Sequence, residues 1–400
     1  MKSIENASEN TGQRYVFIDA LRGVAALAVL LHHIMLPGLT EIGLMTAAIR
    51  NNLPDFVYSI SSYGRCGVQI FFVLSGFVIA HSLRDNPLTF KSIGNFMIRR
   101  QIRLDLPYWF VLIAVLCLHL AELLVPALNT SPMPAPGTIF ANFFYLQNIL
   151  KVEPIVLVAW TLCIEIQFYV TFIVLLACAD RISKLIAPHR IDENQHRING
   201  IFVALIFVTG LAPLCSTPQA FDNSWFGHYW FYFAGGVLCY WAVRNWMNHW
   251  ALGGFMLLLA LSALRFWYAG ATELFTSVLA GSLTILGIYI VGIKGHLTDW
   301  WSNSILQYFG RISYSLYLVH LIILDVFLRG AFKLTGDNGK MAVVWFLLAI
   351  IVCIGIAHLL FIGIERPSMR LASRIKNTPG RTQRSDQIEK SESGLAIEAA

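Results

Sequence analysis

Apolar runs of about twenty residues recur through almost the whole of this chain, the length needed to cross a bilayer once as an α-helix. Inside lipid every backbone amide has to bond within its own segment, so helices are the element to expect. The runs place them near 15–36, 66–84, 108–127, 157–179, 199–216, 225–243, 250–268, 273–293, 305–328 and 341–364. Charged residues make up only 13% of the chain, about half the usual share in soluble proteins. The expected fold class is therefore all-α: a polytopic integral membrane bundle of about ten transmembrane helices. One domain covers 15–370, after a polar segment 1–14 and before a polar tail 371–400 that reads as disordered. Between Pro126 and Pro154, SPMPAPG precedes an aromatic stretch, TIFANFFYLQNIL, that is too short to span and is expected to lie along the membrane interface.

Ten spans put both termini on one side. That side carries 20 of the 29 Lys and Arg, the opposite side 6, and the remaining 3 lie within spans. The positive-inside rule makes the richer side, with both termini, cytoplasmic. This asymmetry accounts for the net charge of +6 without a nucleic-acid partner. The first residues lack the basic, apolar and small-residue pattern of a cleaved signal peptide. The seven cysteines lie in or beside apolar runs with no CxxC spacing, so neither a metal site nor a disulfide framework is expected.

The first span, YVFIDALRGVAALAVLLHHIML, carries Asp19, Arg22, His32 and His33. Ionisable groups within a span are costly and turn toward a protein interior or a watery cavity. Arg22 and His33 are eleven positions apart, which places them about 20° from each other around a helix and about 16 Å apart along it. One face thus offers a cation at one depth and an imidazole at another. His33 suits a general base that takes the proton of an attacking hydroxyl; its plain alternative is a core histidine bonded to a carbonyl. Arg22 suits a phosphate or carbonyl oxygen of an anionic donor, or an i,i+3 pair with Asp19.

In FMIRRQIRLDLPYW, Arg100 and Arg103, with Arg99 beside them, lie in a cytoplasmic loop entering the third span. Guanidinium forks at i,i+3 can grip phosphate, or simply sit among lipid headgroups. WTLCIEIQFY sets Glu165 inside a span, in the outer half by this orientation, where it could orient His33 or act as a base itself. GRISYSLYLVH aligns Ser313, Tyr317 and His320 on one stripe, as a hydrogen-bonding seam between helices or a substrate wall. His33, Glu165 and His320 are expected at comparable depth on three helices. Ser75–Gly76 reads as a close helix contact, since no GxSxG elbow surrounds the serine. The aromatic run WFGHYWFYF reads as packing and interfacial anchoring.

Taken in order, these stretches resemble the membrane-bound acyltransferase 3 family. The matching pieces are Asp19 to Gly23 followed by His33, Gly67 to Phe77, the Arg100–Arg103 pair, Trp160 to Tyr169, Ser313 to His320, and Glu365–Arg366–Pro367. Thr161 and Ile166 depart from the family's usual motif, leaving no second carboxylate beside Glu165. The resemblance implies transfer of an acyl group, commonly acetyl, from cytoplasmic acyl-coenzyme A to a hydroxyl of a sugar, polysaccharide or related acceptor. It implies that Arg22 and His33 are the essential pair, that Arg100 and Arg103 serve the donor, and that Glu165 is the motif carboxylate; Arg99, beside that pair, is a further donor-binding candidate. Asp19, Ser313, Tyr317 and His320 are the acceptor-binding candidates. Some relatives carry an appended hydrolase-like domain, for which the tail after Glu365 is too short.

The expectation is a membrane O-acyltransferase of a bacterial inner membrane, with acyl-coenzyme A as co-substrate and no permanently bound cofactor. Its partners would be that donor, a saccharide or glycolipid acceptor, and membrane lipids. The alternative is a transporter or flippase of a lipid-linked sugar or small molecule, since buried ionisable groups also line substrate pathways. Paired half-helix breaks, which such a protein would show, are not visible in the sequence.

Overall fold

The computed structural model describes residues 14–36, 41–83, 90–124, 133–186, 194–211 and 225–375. The expected N-terminal segment up to residue 13, the tail from 376, residues 125–132 and the end of the fifth expected span at 212–216 lie outside the described residues. In chain order the helices are α1 (Val16–Met35), α2 (Glu41–Asn52), α3 (Asp55–Ser62), α4 (Gly67–Leu83), α5 (Phe90–Leu124), α6 (Pro136–Phe143) and α7 (Trp160–Ile186). There follow α8 (Asn194–Leu211), α9 (Trp230–Val243), α10 (His249–Tyr268), α11 (Thr272–Ile293), α12 (Ser304–Thr335), α13 (Gly339–Leu360) and α14 (Arg366–Ser373). No strand occurs among the described residues. Eight helical stretches are long and apolar enough to cross a membrane. Shorter apolar helices at Gly200–Gly210 and Trp230–Val243 stand where the fifth and sixth spans are expected. The chain is a polytopic helical bundle.

It divides into two compact units. The first holds the chain up to Phe77 and again from Gly227 to His358, which includes α1 and α12. No side chain caps α1; instead the amide of Phe17 donates to the carbonyl of Leu297, 3.0 Å away, satisfying one of the donors a helix start leaves open. Asn303 caps α12 by accepting from the amide of Ile305 at 2.8 Å. Gly336, with φ +57°, ends it by donating its amide to Phe332 O at 2.7 Å.

Helices α1 and α12 touch backbone to backbone. A Cβ placed on Gly23 would lie 2.7 Å from the amide nitrogen of Gly310, and one on Gly310 would lie 2.2 Å from the carbonyl oxygen of Asp19. Small residues permit this approach in the absence of any hydrophobic drive between helices in lipid. Gly76 and Gly236 do the same for α4 and α9, against Phe233 and Val73, so the Ser75–Gly76 step is a close helix contact as expected. Helix α9 is buried from Trp230 through Ala242, while Trp225, at the start of the aromatic run, is exposed.

The second unit holds Val78 to Thr209 and the chain from Leu359 onward. Helix α5 begins eighteen positions before the expected third span, so Arg99, Arg100 and Arg103 are helical rather than in a loop. It continues through Pro107, whose missing N–H leaves the carbonyl of Arg103 without its intrahelical donor. The segment expected along the interface is fastened to the middle of α5. Tyr108 OH donates to Asn142 O at 2.8 Å, Trp109 Nε1 to Phe143 O at 3.0 Å, and Tyr145 OH to Asp105 Oδ1 at 2.8 Å. Tyr108 is sixteen residues before the end of α5, about 24 Å at 1.5 Å per residue. Buried Asn142 ties the returning chain together, donating to Glu153 O and accepting from the amide of Ile155. The backbone turns at Tyr145 with φ +57°, a conformation rare for an aromatic residue.

Candidate active site

In the first unit, His33 near the end of α1 meets His320 near the middle of α12. Their rings lie 4.9 Å apart between centroids, and His33 Nδ1 is 3.2 Å from His320 Nε2. His33 Nδ1 is also 2.9 Å from the carbonyl of Val29. His320 Nδ1 faces two carbonyls of its own helix, Tyr317 O at 2.7 Å and Leu316 O at 3.2 Å. Carbonyl oxygens only accept, so each Nδ1 carries the hydrogen of a neutral ring. The lone pair of His33 then sits on Nε2, which has no hydrogen-bond partner among the described residues. His320 is 1% exposed, whereas His33 is half-buried. The neighbouring His32 faces elsewhere, donating from Nδ1 to Ser61 O at 3.1 Å.

Arg22 lies eleven positions before His33 and next to the Gly23–Gly310 crossing. It is half-buried and makes no hydrogen bond or ion pair among the described residues. Asp19 does not neutralise it, because the Asp19 carboxylate is paired with Arg14. Ser313 is fully buried and donates to Gly310 O at 2.9 Å, a bond within its own helix. Tyr317 is nearly buried and lies edge-on to Phe71, with centroids 5.7 Å apart.

The second unit holds the other cluster. Arg100 Nη2 donates to Glu165 Oε1 at 3.1 Å and to the hydroxyl of Tyr169. The guanidinium carbon lies 4.7 Å from the centre of the Tyr169 ring, within cation–π range. Both members of the ion pair are largely buried, at 15% and 17% exposure. Arg100 Nε and Gln101 Oε1 are buried with no hydrogen-bond partner among the described residues. Arg99 and Arg103 flank them, half-buried on the same helix.

Of the three groups expected at one depth, His33 and His320 do meet. Glu165 instead touches Arg100, so a cytoplasmic depth for one and an outer depth for the other do not both hold. The physical reason is the chain before α7: residues 136–145 run beside the Asp105–Trp109 turn of α5. Helix α7 therefore starts level with that turn rather than at the far end of α5. The role of Tyr169 was missed, although Glu165 and Tyr169 stand at i,i+4, the spacing that puts a carboxylate and a phenol on one helix face. Among the described residues no three or more His, Cys, Asp or Glu gather in a way that could hold a metal ion.

No curated protein and no solved structure is significantly similar to the chain. The family model of the acyltransferase domain, however, matches residues 15–362, from the start of α1 to the last turn of the apolar helices. A match of that extent covers both histidines, the unpaired arginine and the Arg100 cluster, and it makes this chain a member of the acyltransferase 3 family, a multi-pass membrane acyltransferase.

Proposed function

We propose that the protein moves an acyl group, acetyl in the simplest case, from acyl-coenzyme A to a hydroxyl of a sugar, polysaccharide or glycolipid, with His33 as general base. The observation that carries this reading is the set of contacts around the His33 ring, from which its protonation follows. Its Nδ1–H is directed at protein acceptors, and its basic Nε2 is left without a partner among the described residues. In the proposed step Nε2 takes the proton of the acceptor hydroxyl as its oxygen attacks the thioester carbonyl. The carbon–sulfur bond then breaks, and the thiolate leaves as the free thiol with the proton returned by His33.

Arg22 lies about 16 Å along α1 from His33, too far to touch the same carbonyl. The flexible arm that joins a coenzyme A thioester to its phosphates has a length of that order, which supports Arg22 as a cation on the donor's path. Arg99, Arg100 and Arg103 are the candidate phosphate ligands, and the unpartnered Nε of Arg100 is a donor that a phosphate oxygen would satisfy. The contact between Glu165 and Arg100 supports a role for Glu165 in holding that arginine. The excess of Lys and Arg at the terminal side supports a cytoplasmic face for the termini and the donor, in a membrane we take to be a bacterial inner membrane.

The test is acyl-coenzyme A turnover by purified protein in detergent or nanodiscs, with a mixed pool of saccharide acceptors. Wild-type protein is expected to release free thiol and acylate an acceptor, and His33→Ala to lose at least about 10²-fold of that rate. Undiminished turnover in His33→Ala would remove His33 as the base.

A further inference from the structure

The role of the second histidine follows from what each of its nitrogens touches. The Nδ1–H of His320 is fixed by Tyr317 O and Leu316 O, so a neutral ring must present its lone pair at Nε2. That lone pair lies 3.2 Å from the Nδ1–H of His33. With 1% of His320 exposed, water does not compete for it. A second proton on Nε2 of His320 would face the N–H of His33, donor against donor, so the pair holds one shared proton between them. Tyr317 lies beside the ring, 5.8 Å away between centroids, and Cys353 Sγ on α13 is 3.9 Å from the backbone carbonyl of His320.

We propose that His320 is a positioning residue. It fixes the proton of His33 at Nδ1, so that Nε2 is basic, and it accepts a charge-assisted hydrogen bond from the imidazolium that His33 becomes. This rests on the reading of His33 as the base. When Nε2 of His33 takes the acceptor's proton, the ring becomes a cation whose Nδ1–H donates more strongly. A neutral imidazole thus does here what a buried carboxylate does for the histidine of a catalytic triad. The carbonyl of Val29 shares the donor at 2.9 Å, so orientation is supplied twice, while His320 supplies the polarisable acceptor. The same contacts leave His320 with no nitrogen free for the acceptor sugar, a different place from the substrate wall expected of this stripe.

The experiment compares wild type, His320→Gln, His320→Ala and His33→Ala for kcat and for KM toward acetyl-coenzyme A. Histidine ¹⁵N NMR of the wild type reads which nitrogen of His33 is protonated. The expected result is Nδ1–H on His33, a fall in kcat of about tenfold or more in His320→Ala with KM unchanged, and substantial recovery in His320→Gln. The effect of His320→Ala should stay within the roughly 10²–10⁴-fold that a positioned base supplies. Recovery is expected because the amide oxygen of glutamine reaches the place of Nε2 and can accept the same bond. Nε2–H on His33, or equal kcat in the alanine variant and wild type, would overturn the proposal while leaving His33 as the base. Full activity in His33→Ala would overturn both readings. If His320→Ala does not fold, the glutamine variant and the wild-type spectrum still decide, since loss of activity in His320→Gln to the level of His33→Ala would exclude an acceptor role.

Discussion

Gly23 and Gly310 lie against each other's backbone at an offset of 287 positions, and 287 is also the offset between His33 and His320. Each histidine is ten residues beyond its glycine, about 15 Å along the helix. Helices α1 and α12 therefore run in the same direction and keep register from the glycine crossing to the imidazole pair. The crossing is a ruler: it sets how the two rings meet without touching either of them.

Adding a side chain at the crossing should thus be felt at the rings. A Cβ on Gly310 would stand 2.2 Å from a backbone oxygen, and backbone cannot swing aside as the end of a side chain can. Gly310→Val is expected to lower stability by about 1–3 kcal/mol, as overpacking does, and to cost most of the acyltransferase activity. Gly253→Ala on α10, where an added Cβ meets nothing within 4 Å, is the control. It should raise stability by about 0.5–1 kcal/mol and leave activity unchanged. Thermal unfolding in detergent beside thiol release from acyl-coenzyme A measures both.

Arg22 should separate stability from activity in the opposite sense. A lone arginine within a span costs up to about 2.5–3.5 kcal/mol on insertion scales, the full figure applying at the helix centre, and no protein partner among the described residues offsets it. Arg22→Met keeps the length of the side chain and removes the charge. It is expected to unfold at a higher temperature than wild type and to be nearly inactive, with Arg22→Lys between the two. A less stable Arg22→Met protein would mean that the guanidinium has a structural role.

Much of this was readable from the residues, because hydropathy along a chain reports directly on lipid. The expected spans all find an apolar helix, and Arg22 and His33 needed only helical periodicity to be singled out. The pairing of His33 with His320 was anticipated as shared depth, not as contact, since no spacing rule relates residues 287 positions apart. The separate depths expected of Arg100 and Glu165, which are in contact, do not both hold, and the reason is local. The chain between Pro126 and Pro154 was read as lying flat, and Asn142 and Tyr145, which fasten it to α5, are polar groups in an aromatic stretch whose partners are distant in sequence. Hydropathy does not record where such a segment turns back.

The fastening itself can be tested. Tyr145 OH donates to a carboxylate, Asp105, that is 9% exposed and has no other hydrogen-bond partner among the described residues. Tyr145→Phe keeps the ring and its stacking on Tyr108 while removing that donor. Leaving a buried acceptor unsatisfied costs about 1–3 kcal/mol, so the variant should unfold earlier by that amount. Asp105→Asn with Tyr145→Phe should recover part of the loss, because an amide carries less desolvation cost than a carboxylate. Unfolding in a double-mutant cycle measures the coupling.

The Arg100–Glu165 pair poses the question of structure against donor binding most directly. With both side chains largely buried, removing one partner strands a charge and costs about 3–5 kcal/mol, whereas replacing both with apolar groups is often neutral. Arg100→Met and Glu165→Leu are therefore each expected to be unstable, and the double variant to approach wild-type stability. Activity should not follow stability. If Arg100 also grips a donor phosphate, the well-folded double variant keeps a KM for acyl-coenzyme A raised about tenfold or more, a loss of about 1.4 kcal/mol in binding. Glu165→Gln keeps the arginine and can still accept a hydrogen bond, so its KM should stay near that of wild type even where its stability falls. Wild-type KM in the double variant would reduce Arg100 to a structural cation and move the phosphates to Arg99 and Arg103 alone.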